Sequence, residues 1–578
     1  MYYHLRQSIQ HTSSGITGAD WEYAMASPLA GSSQWPDAEF DRLFQRLAED
    51  FNRARPIVVL PPEILVLIFS FLSLSSLPTR SRSRIDLGWI RVTHVCRRWR
   101  EVALSASILW TRVDDLGPYW TALCLERARN APLRLLFFFP SSRTFPKVRD
   151  IADRFPQFRQ LEIQGTPKIL RPITDRLHSP APRLESLHVA VSGIRLPNHQ
   201  GQVIDVVEVR GPLLGGNSPS LRHLSLQNVF FQWSTFRFSD LVSLTLVYKA
   251  LKTYEPAKEM RLPSVSALFA TLSTMLNLRT LCLHRFMRMQ VGEALPKPIT
   301  LPHLGFLDLG GSATECLILQ RGLIADSPRN RSPTVFVSCA GTTTRWEAGE
   351  IDALLDICMK LSSKAGDMDK LRRLNCRITA SGGQGGLFVQ MMDFDSDGQI
   401  FHLKLPDIEG WDGPDWLRIL KILLSTLPRD CICALELNNE MALSNVQWTE
   451  AFASVLPLPQ LEIVMISEDF RCKCLPALLD LDVHGIPKMR EIILDADEIG
   501  LHPGMVEQVA DSVRACRQRG VPLQCIKLRG SIQAVGMRDW EDMLRTVVPQ
   551  FERQGIGDVS GIHGPGNVEE DLIGMILG

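Results

Sequence analysis

Two rhythms of apolar residues divide this chain, one at helical spacing near its start and one at alternating, strand-like spacing through most of the remainder. Between Pro36 and Arg55, Phe40, Phe44, Leu47 and Phe51 recur at four, three and four residues, with Leu43 on the same face and charges at most other positions. The spacing predicts an amphipathic helix over 36–55. Its seam spans too few heptads for a dimeric coiled coil, so the face is assigned to packing on the next domain. Residues 1–35 are rich in Ser, Thr and Gly, hold no sustained period, and read as a disordered tail.

The stretch from Leu60 to Trp110 carries the densest signal. Leu60-Pro-Pro-Glu-Ile-Leu starts a helix at about Pro61: proline is tolerated where no intrahelical N–H is needed, and Glu63 in the first turn meets the positive end of the helix dipole. Ile64, Leu65, Val66, Leu67, Ile68, Phe69, Phe71 and Leu72 are more apolar residues than one core-facing stripe can hold. A second buried surface, supplied by another protein, is expected. A membrane span is not, because the uninterrupted apolar part begins after Glu63 and decays into serines beyond Leu74, short of the roughly 20 residues required. A polar segment from Ser75 to Asp86 intervenes, and a second helical pattern runs from Trp89 to Leu104. There Val92, Val95, Cys96, Trp99, Val102 and Ala103 share one face, and Leu109-Trp110 closes the block with a large apolar anchor.

The order Leu60-Pro-Pro-Glu-Ile, Ile68-Phe69, Leu72, Val95-Cys-Arg-Arg-Trp99, Val102-Ala103 and Leu109-Trp110 resembles an F-box domain, here residues 56–112. The following Cys124-Leu-Glu-Arg-Ala-Arg-Asn-Ala-Pro-Leu133, which leads into alternating Leu133, Leu135 and Phe137, resembles the segment after the F-box in the expanded F-box families of fungi. Together the resemblance covers about 75 residues. It implies a docking site for the Skp-type adaptor of cullin ubiquitin ligases. The positions it points to are Leu60, Pro61, Pro62, Glu63, Ile64, Ile68, Phe69, Leu72, Val95, Cys96, Trp99, Val102 and Trp110. One departure is a long loop between the two helical patterns, bearing Arg80, Arg82 and Arg84, with Arg91 beyond it. So short a charge run reads as a solvated loop rather than a modification or import signal.

From Phe158 onward a small unit returns: an apolar residue, two others, an apolar residue, one other, an apolar residue. It occurs at Phe158-x-x-Leu161-x-Ile163, Leu184-x-x-Leu187-x-Val189, Leu221-x-x-Leu224-x-Leu226, Leu241-x-x-Leu244-x-Leu246, Leu278-x-x-Leu281-x-Leu283 and Leu304-x-x-Leu307-x-Leu309. It returns at Ile432-x-x-Leu435-x-Leu437, Leu458-x-x-Leu461-x-Ile463, Met489-x-x-Ile492-x-Leu494 and Leu523-x-x-Ile526-x-Leu528. The last two apolar positions fall on one face of a short strand. From Leu161 to Leu307 the units advance by 26, 37, 20, 37 and 26 residues. Leucine-rich repeats advance by roughly 20 to 29, with longer steps where a helix or loop is inserted. Apolar helical stretches such as Val265–Leu276 and Trp416–Leu424 suit the outer layer of a strand-helix coil. The expected fold class is therefore α/β: a small N-terminal helical F-box module, then a degenerate leucine-rich-repeat-like solenoid over 113–554, with a flexible tail at 555–578. An ordinary α/β sandwich is the competing architecture.

Composition narrows the partners. The 578 residues hold 63 Lys plus Arg against 63 Asp plus Glu, so no global field is available to hold nucleic acid or an anionic membrane. Thirteen scattered cysteines, none before Cys96, and no basic-then-apolar leader suggest a reduced cytoplasmic or nuclear setting.

Candidate chemistry is sparse. Asp393-Phe-Asp-Ser-Asp-Gly398 has calcium-loop spacing, but Lys404 stands where a bidentate Glu is needed, and an Asp-Gly hairpin turn is the favoured reading. Cys431-x-Cys433 and Cys472-x-Cys474 lack the usual two-residue zinc spacing and lie about 40 residues apart. No phosphate loop, His-Glu-x-x-His or Gly-x-Ser-x-Gly motif occurs, and Gly382–Gly386 reads as a loop rather than a nucleotide site. His188, His223 and His284 fall in or beside repeat strands, where a structural or surface role is expected. No cofactor, metal or enzymatic activity is expected. The leading reading is a substrate-recognition subunit that binds a Skp-type adaptor through the F-box and an unknown target protein through the repeats, with no nucleic acid and no membrane. The alternative is a scaffold whose F-box-like helices only cap the array.

Overall fold

The computed structural model describes Ile57 and residues 60–80, 85–114, 118–138, 148–192, 194–195, 202–203, 207–248, 262–288, 296–324, 334–339, 353, 356, 374–381, 386–393, 399–405, 413–426, 429–439, 444–467, 474–479, 485–495, 503–529 and 537–554. The expected tails at 1–35 and 555–578 and the helix at 36–55 lie outside them. The chain divides into two units, Met1–Leu109 and Trp110–Gly578.

In the first unit, helix α1 spans Pro62–Ser75, with Pro61 in the N-cap position and Glu63 in the first turn. The Ser75–Asp86 segment forms a small antiparallel pairing, Thr79–Arg80 with Ile85–Asp86. The second helical pattern is not one helix. It divides into a 3-10 segment, Gly88–His94, and helix α2, Arg97–Ser105, because Cys96 is fully extended at φ −155° and caps the second piece. Gly88 makes the entry possible at φ +50°: its N–H donates to the Asp86 carboxylate at 2.9 Å, and Asp86 also pairs with Arg91 at 2.8 Å. The core of this unit is Leu65, Phe69, Trp89, Ile90, Val92, Val102, Ala103 and Leu109.

The second unit is built on one large, mostly parallel sheet. Its first nine strands are Arg112–Asp114 (β1), Leu133–Phe138 (β2), Phe158–Gly165 (β3), Ser186–Val191 (β4), His223–Gln227 (β5), Ser243–Val247 (β6), Thr280–His284 (β7), Phe306–Gly311 (β8) and Thr334–Cys339 (β9). Then come Leu374–Ser381 (β10), Gly386–Asp393 (β11), Gln399–Leu405 (β12), Ile432–Asn439 (β13), Ile463–Ser467 (β14), Glu491–Asp495 (β15), Cys525–Arg529 (β16) and Gln550–Gln554 (β17). Each of β1 to β8 pairs in parallel with its successor. The middle residues of the repeat unit are direct partners: Leu161, Leu187, Leu224, Leu244, Leu281 and Leu307 form one register row, all buried. Ile163, Val189, Leu226, Leu246, Leu283 and Leu309 form the next. The same position of the repeat unit is thus matched across six successive strands. Burying each such side chain contributes about 1.5–3 kcal/mol.

Three strands break the order. β12, not β10, pairs in parallel with β9; β11 lies antiparallel between β12 and β10, and β10 then pairs in parallel with β13. β11 and β12, on either side of the expected Asp393–Gly398 turn, pair antiparallel; residues 394–398 themselves lie outside the described ones. Residues 382–385 of the Gly-rich segment, between β10 and β11, also lie outside the described ones. Beyond β13, strand and helix alternate: Asn445–Ala453, Cys474–Leu479, Pro503–Gln518 and Met537–Val547 each precede the next strand. One repeat assignment shifts. Val464 and Ile466, not Leu461 and Ile463, pair with Leu435 and Leu437, so the unit there is Leu461-x-x-Val464-x-Ile466.

Candidate partner-docking surface

Helix α1 has two apolar stripes. Leu65 and Phe69, one turn apart, are fully buried. Ile64, Leu67, Phe71 and Leu74 recur at three, four and three residues and are 42%, 53%, 64% and 63% exposed. At 100° per residue the two stripes are centred about 160° apart, so one faces the core and the other faces water. Leu72 is exposed as well, and Val95 and Ile108 add apolar surface elsewhere on the unit. The serines within the helix do not break this surface: Ser70 and Ser73 donate back to Val66 and Ser70 carbonyls at 2.8 and 2.7 Å.

Two contacts hold α1 in place. The Arg98 guanidinium donates to the Leu60 carbonyl at 2.5 Å, tying the leader to α2. The Trp99 ring lies 5.1 Å from that of Phe69, with the planes tilted by 59°. Partial burial and the nearby Arg100 charge hold the His94 imidazole below its ordinary range, which favours its neutral form.

The sequence-derived positions separate into three groups. Pro61, Pro62, Glu63, Ile64, Leu72 and Val95 are exposed; Leu60, Ile68, Cys96 and Trp99 are half-buried. Phe69, Val102 and Trp110 are buried in the chain by itself. Phe69 fills the space beneath Trp99, and Val102 lies beside Ala103 on the inner side of α2. Trp110 belongs to the second unit, where its ring sits 6.3 Å from Trp120 and 4.3 Å beneath the Arg127 guanidinium. The sequence-derived set omits Leu67, Phe71, Leu74 and Ile108. For the first three the signal is the second three-four-three rhythm inside the apolar run.

These features define a small helical module joined in sequence to a large, mostly parallel sheet. Residues 57–115 match the F-box-like family, and this segment is an F-box-like domain. No curated protein sequence matches the chain. Among solved structures it is similar to one described as the crystal structure of the Rad7 and Elc1 complex in yeast, at 12% identity, covering 82% of this chain and 98% of that one, with a TM-score of 0.21. So low a score carries no argument. No helix among the described residues is long and apolar enough to cross a membrane.

Proposed function

We propose that this chain is the substrate-recognition subunit of a Skp-cullin-F-box type ubiquitin ligase. The observation that carries the reading is the outward stripe of Ile64, Leu67, Phe71 and Leu74 on a helix of the F-box-like domain. A lone exposed leucine is ordinary, but four large apolar side chains in line are the anchors of a helix laid into a partner's groove. The adaptor supplies that groove. The chain itself performs no chemistry; an associated enzyme transfers ubiquitin to a target held nearby.

We read residues 113–554 as a degenerate leucine-rich-repeat-like solenoid that presents the target surface. The matched leucine rows from β3 to β8 support this reading. The reversed order of β10 to β12 is an insertion in it. The positions between the leucines, such as Glu162, His188, Thr245 and Asp308, form a row on the opposite face that is itself largely buried, so the target surface lies on other parts of the array. The setting is the cytoplasm or nucleus.

The test is co-purification of the full-length chain with a Skp-type adaptor. Leu67→Asp with Phe71→Asp, and separately Leu60→Ala with Pro61→Ala, are expected to release the adaptor while leaving the circular-dichroism spectrum unchanged. Adaptor retained by the charged double variant overturns the proposal.

A further inference from the structure

Three side chains on adjacent strands of the sheet converge outside the docking module. β7 and β8 are parallel neighbours in which Cys282 is the partner of Asp308 and His284 the partner of Gly310. Two-residue periodicity puts Cys282 and His284 on one face, away from the buried Leu281 and Leu283, and Asp308 joins them from between Leu307 and Leu309. The Cys282 thiol donates to Asp308 Oδ2 at 3.2 Å, and His284 Nε2 lies 2.9 Å from Asp308 Oδ1. One ligand atom from each residue falls within 4.8 Å of the others. Cys282 and Asp308 are buried.

Two further features distinguish this cluster from a surface coincidence. His284 reaches Asp308 only because its register partner is glycine: a Cβ on Gly310 would stand 2.6 Å from the imidazole Cγ. In addition, His284 Nε2 is buried and lies 2.9 Å from Asp308 Oδ1. Asp308 therefore sits between the thiol and the imidazole, one carboxylate oxygen on each. One strand further on, Thr245 is the partner of Cys282, and its buried Oγ1 has no hydrogen-bond partner among the described residues.

We propose that Cys282, His284 and Asp308 form a three-ligand site for a divalent transition-metal ion of the zinc type, with water in the fourth position. The donor set of one thiolate, one imidazole and one carboxylate is that of a tetrahedral N, S, O centre, with bonds of about 2.0–2.3 Å that bring ligand atoms to about 3.3–3.8 Å of one another. The present contacts of 2.9 and 3.2 Å to the carboxylate are slightly shorter, so Asp308 moves outward a little as the ion enters. A thiolate and a carboxylate together neutralise a divalent ion, which offsets the cost of burying Asp308. Thr245 Oγ1 is the group available to hold a metal-bound water. Burial and the Asp308 charge push the Cys282 thiol up, so metal uptake releases its proton.

The experiment uses the full-length, tag-free chain, loaded with Zn(II) for metal analysis and with Co(II) for spectroscopy. The expected result is one equivalent of zinc per chain. Cobalt should give a thiolate charge-transfer band together with the intense visible bands of tetrahedral coordination. Cys282→Ser should abolish the charge-transfer band. Gly310→Ala removes no ligand atom but displaces the His284 ring, and should weaken binding by about ten- to a hundredfold. If Cys282→Ser perturbs the circular-dichroism spectrum, Asp308→Asn, which keeps the side-chain shape, decides in its place by loss of the tetrahedral spectrum. A wild-type chain with no cobalt band overturns the proposal, as does a band that survives these changes through another cysteine such as Cys431.

Discussion

Phe69 and Trp99 join the two helices of the F-box-like domain, their ring centroids 5.1 Å apart and their planes tilted by 59°. Phe69 projects from the buried face of α1 and Trp99 from α2, so the contact fixes one helix against the other. Phe69→Ala is expected to destabilise this unit by about 3–5 kcal/mol, because the cavity lies where both helices meet. Hydrogen exchange on the full chain should show amides of 62–75 and 97–105 losing protection while those of β3 to β8 keep theirs. Unchanged protection in α1 would show that the contact is dispensable.

The outer stripe of α1 should behave in the opposite way. Leu67→Glu and Phe71→Glu place charge where the side chains already meet water, so each should change stability by no more than about 0.5 kcal/mol. Each should also reduce concentration-dependent self-association, since an uncovered apolar line seeks any partner. Sedimentation velocity and thermal melts of the full chain separate the two effects. A loss of stability comparable to that of Phe69→Ala would mean the stripe is core, not interface.

Local spacing made much of this architecture legible, and long-range pairing made the rest obscure. The start of α1 follows from Pro61, Pro62 and Glu63, and the leucine rows follow from a motif whose period-two positions share a face. The break at Cys96 was hidden because Val92, Val95 and Trp99 keep helical spacing through it, and only Gly88 hints at the tighter 3-10 entry. The reversal of β10 to β12 depends on which edge each strand meets, and periodicity is silent on that. At Leu461 both Leu458-x-x-Leu461-x-Ile463 and Leu461-x-x-Val464-x-Ile466 satisfy the pattern, and only cross-strand pairing with Leu435 chooses between them. Cys282 and His284 are visible as a pair in the sequence, but Asp308 comes from the next strand and Gly310 matters only through its register. For the docking surface, helical spacing separates Leu65 and Phe69 from Ile64, Leu67, Phe71 and Leu74, but the inward position of Val102 requires the packed structure.

Gly88 offers a test of the 3-10 entry. At φ +50° a side chain is strained, and a Cβ there would come within 2.5 Å of the Ser76 carbonyl oxygen and the Leu77 carbonyl carbon. That same Ser76 oxygen accepts the Trp89 N–H at 2.8 Å, so relief of the clash breaks the bond that seats the segment. Gly520 has φ +98° but nothing within 4 Å of an added Cβ. Gly520→Ala should therefore show only the backbone strain of about 1–3 kcal/mol, and Gly88→Ala more than that. Urea denaturation of both variants, with hydrogen exchange to locate the change, makes the comparison; equal losses would mean that the close approach at Gly88 has no energetic weight.

His188 gives the sheet a pH dependence of known sign. Burial pushes its imidazole down to about 4, so the folded chain holds it neutral while the unfolded chain takes up a proton below about 6.5. Stability from this group is complete above about pH 6.5 and is lost as pH falls towards about 4, by about 3 kcal/mol at most. Glu162, its direct partner on β3, works in the opposite direction. Burial holds the Glu162 carboxyl above its ordinary value, so the folded chain binds that proton first and gains stability as pH falls. The two contributions overlap, and the wild-type slope is their difference. His188→Gln should therefore flatten or invert the loss of stability between about pH 6.5 and 4.5, and Glu162→Gln should steepen it. Urea midpoints measured across that range read both slopes, and a Glu162→Gln profile parallel to wild type would show that the carboxyl is already ionised in the fold.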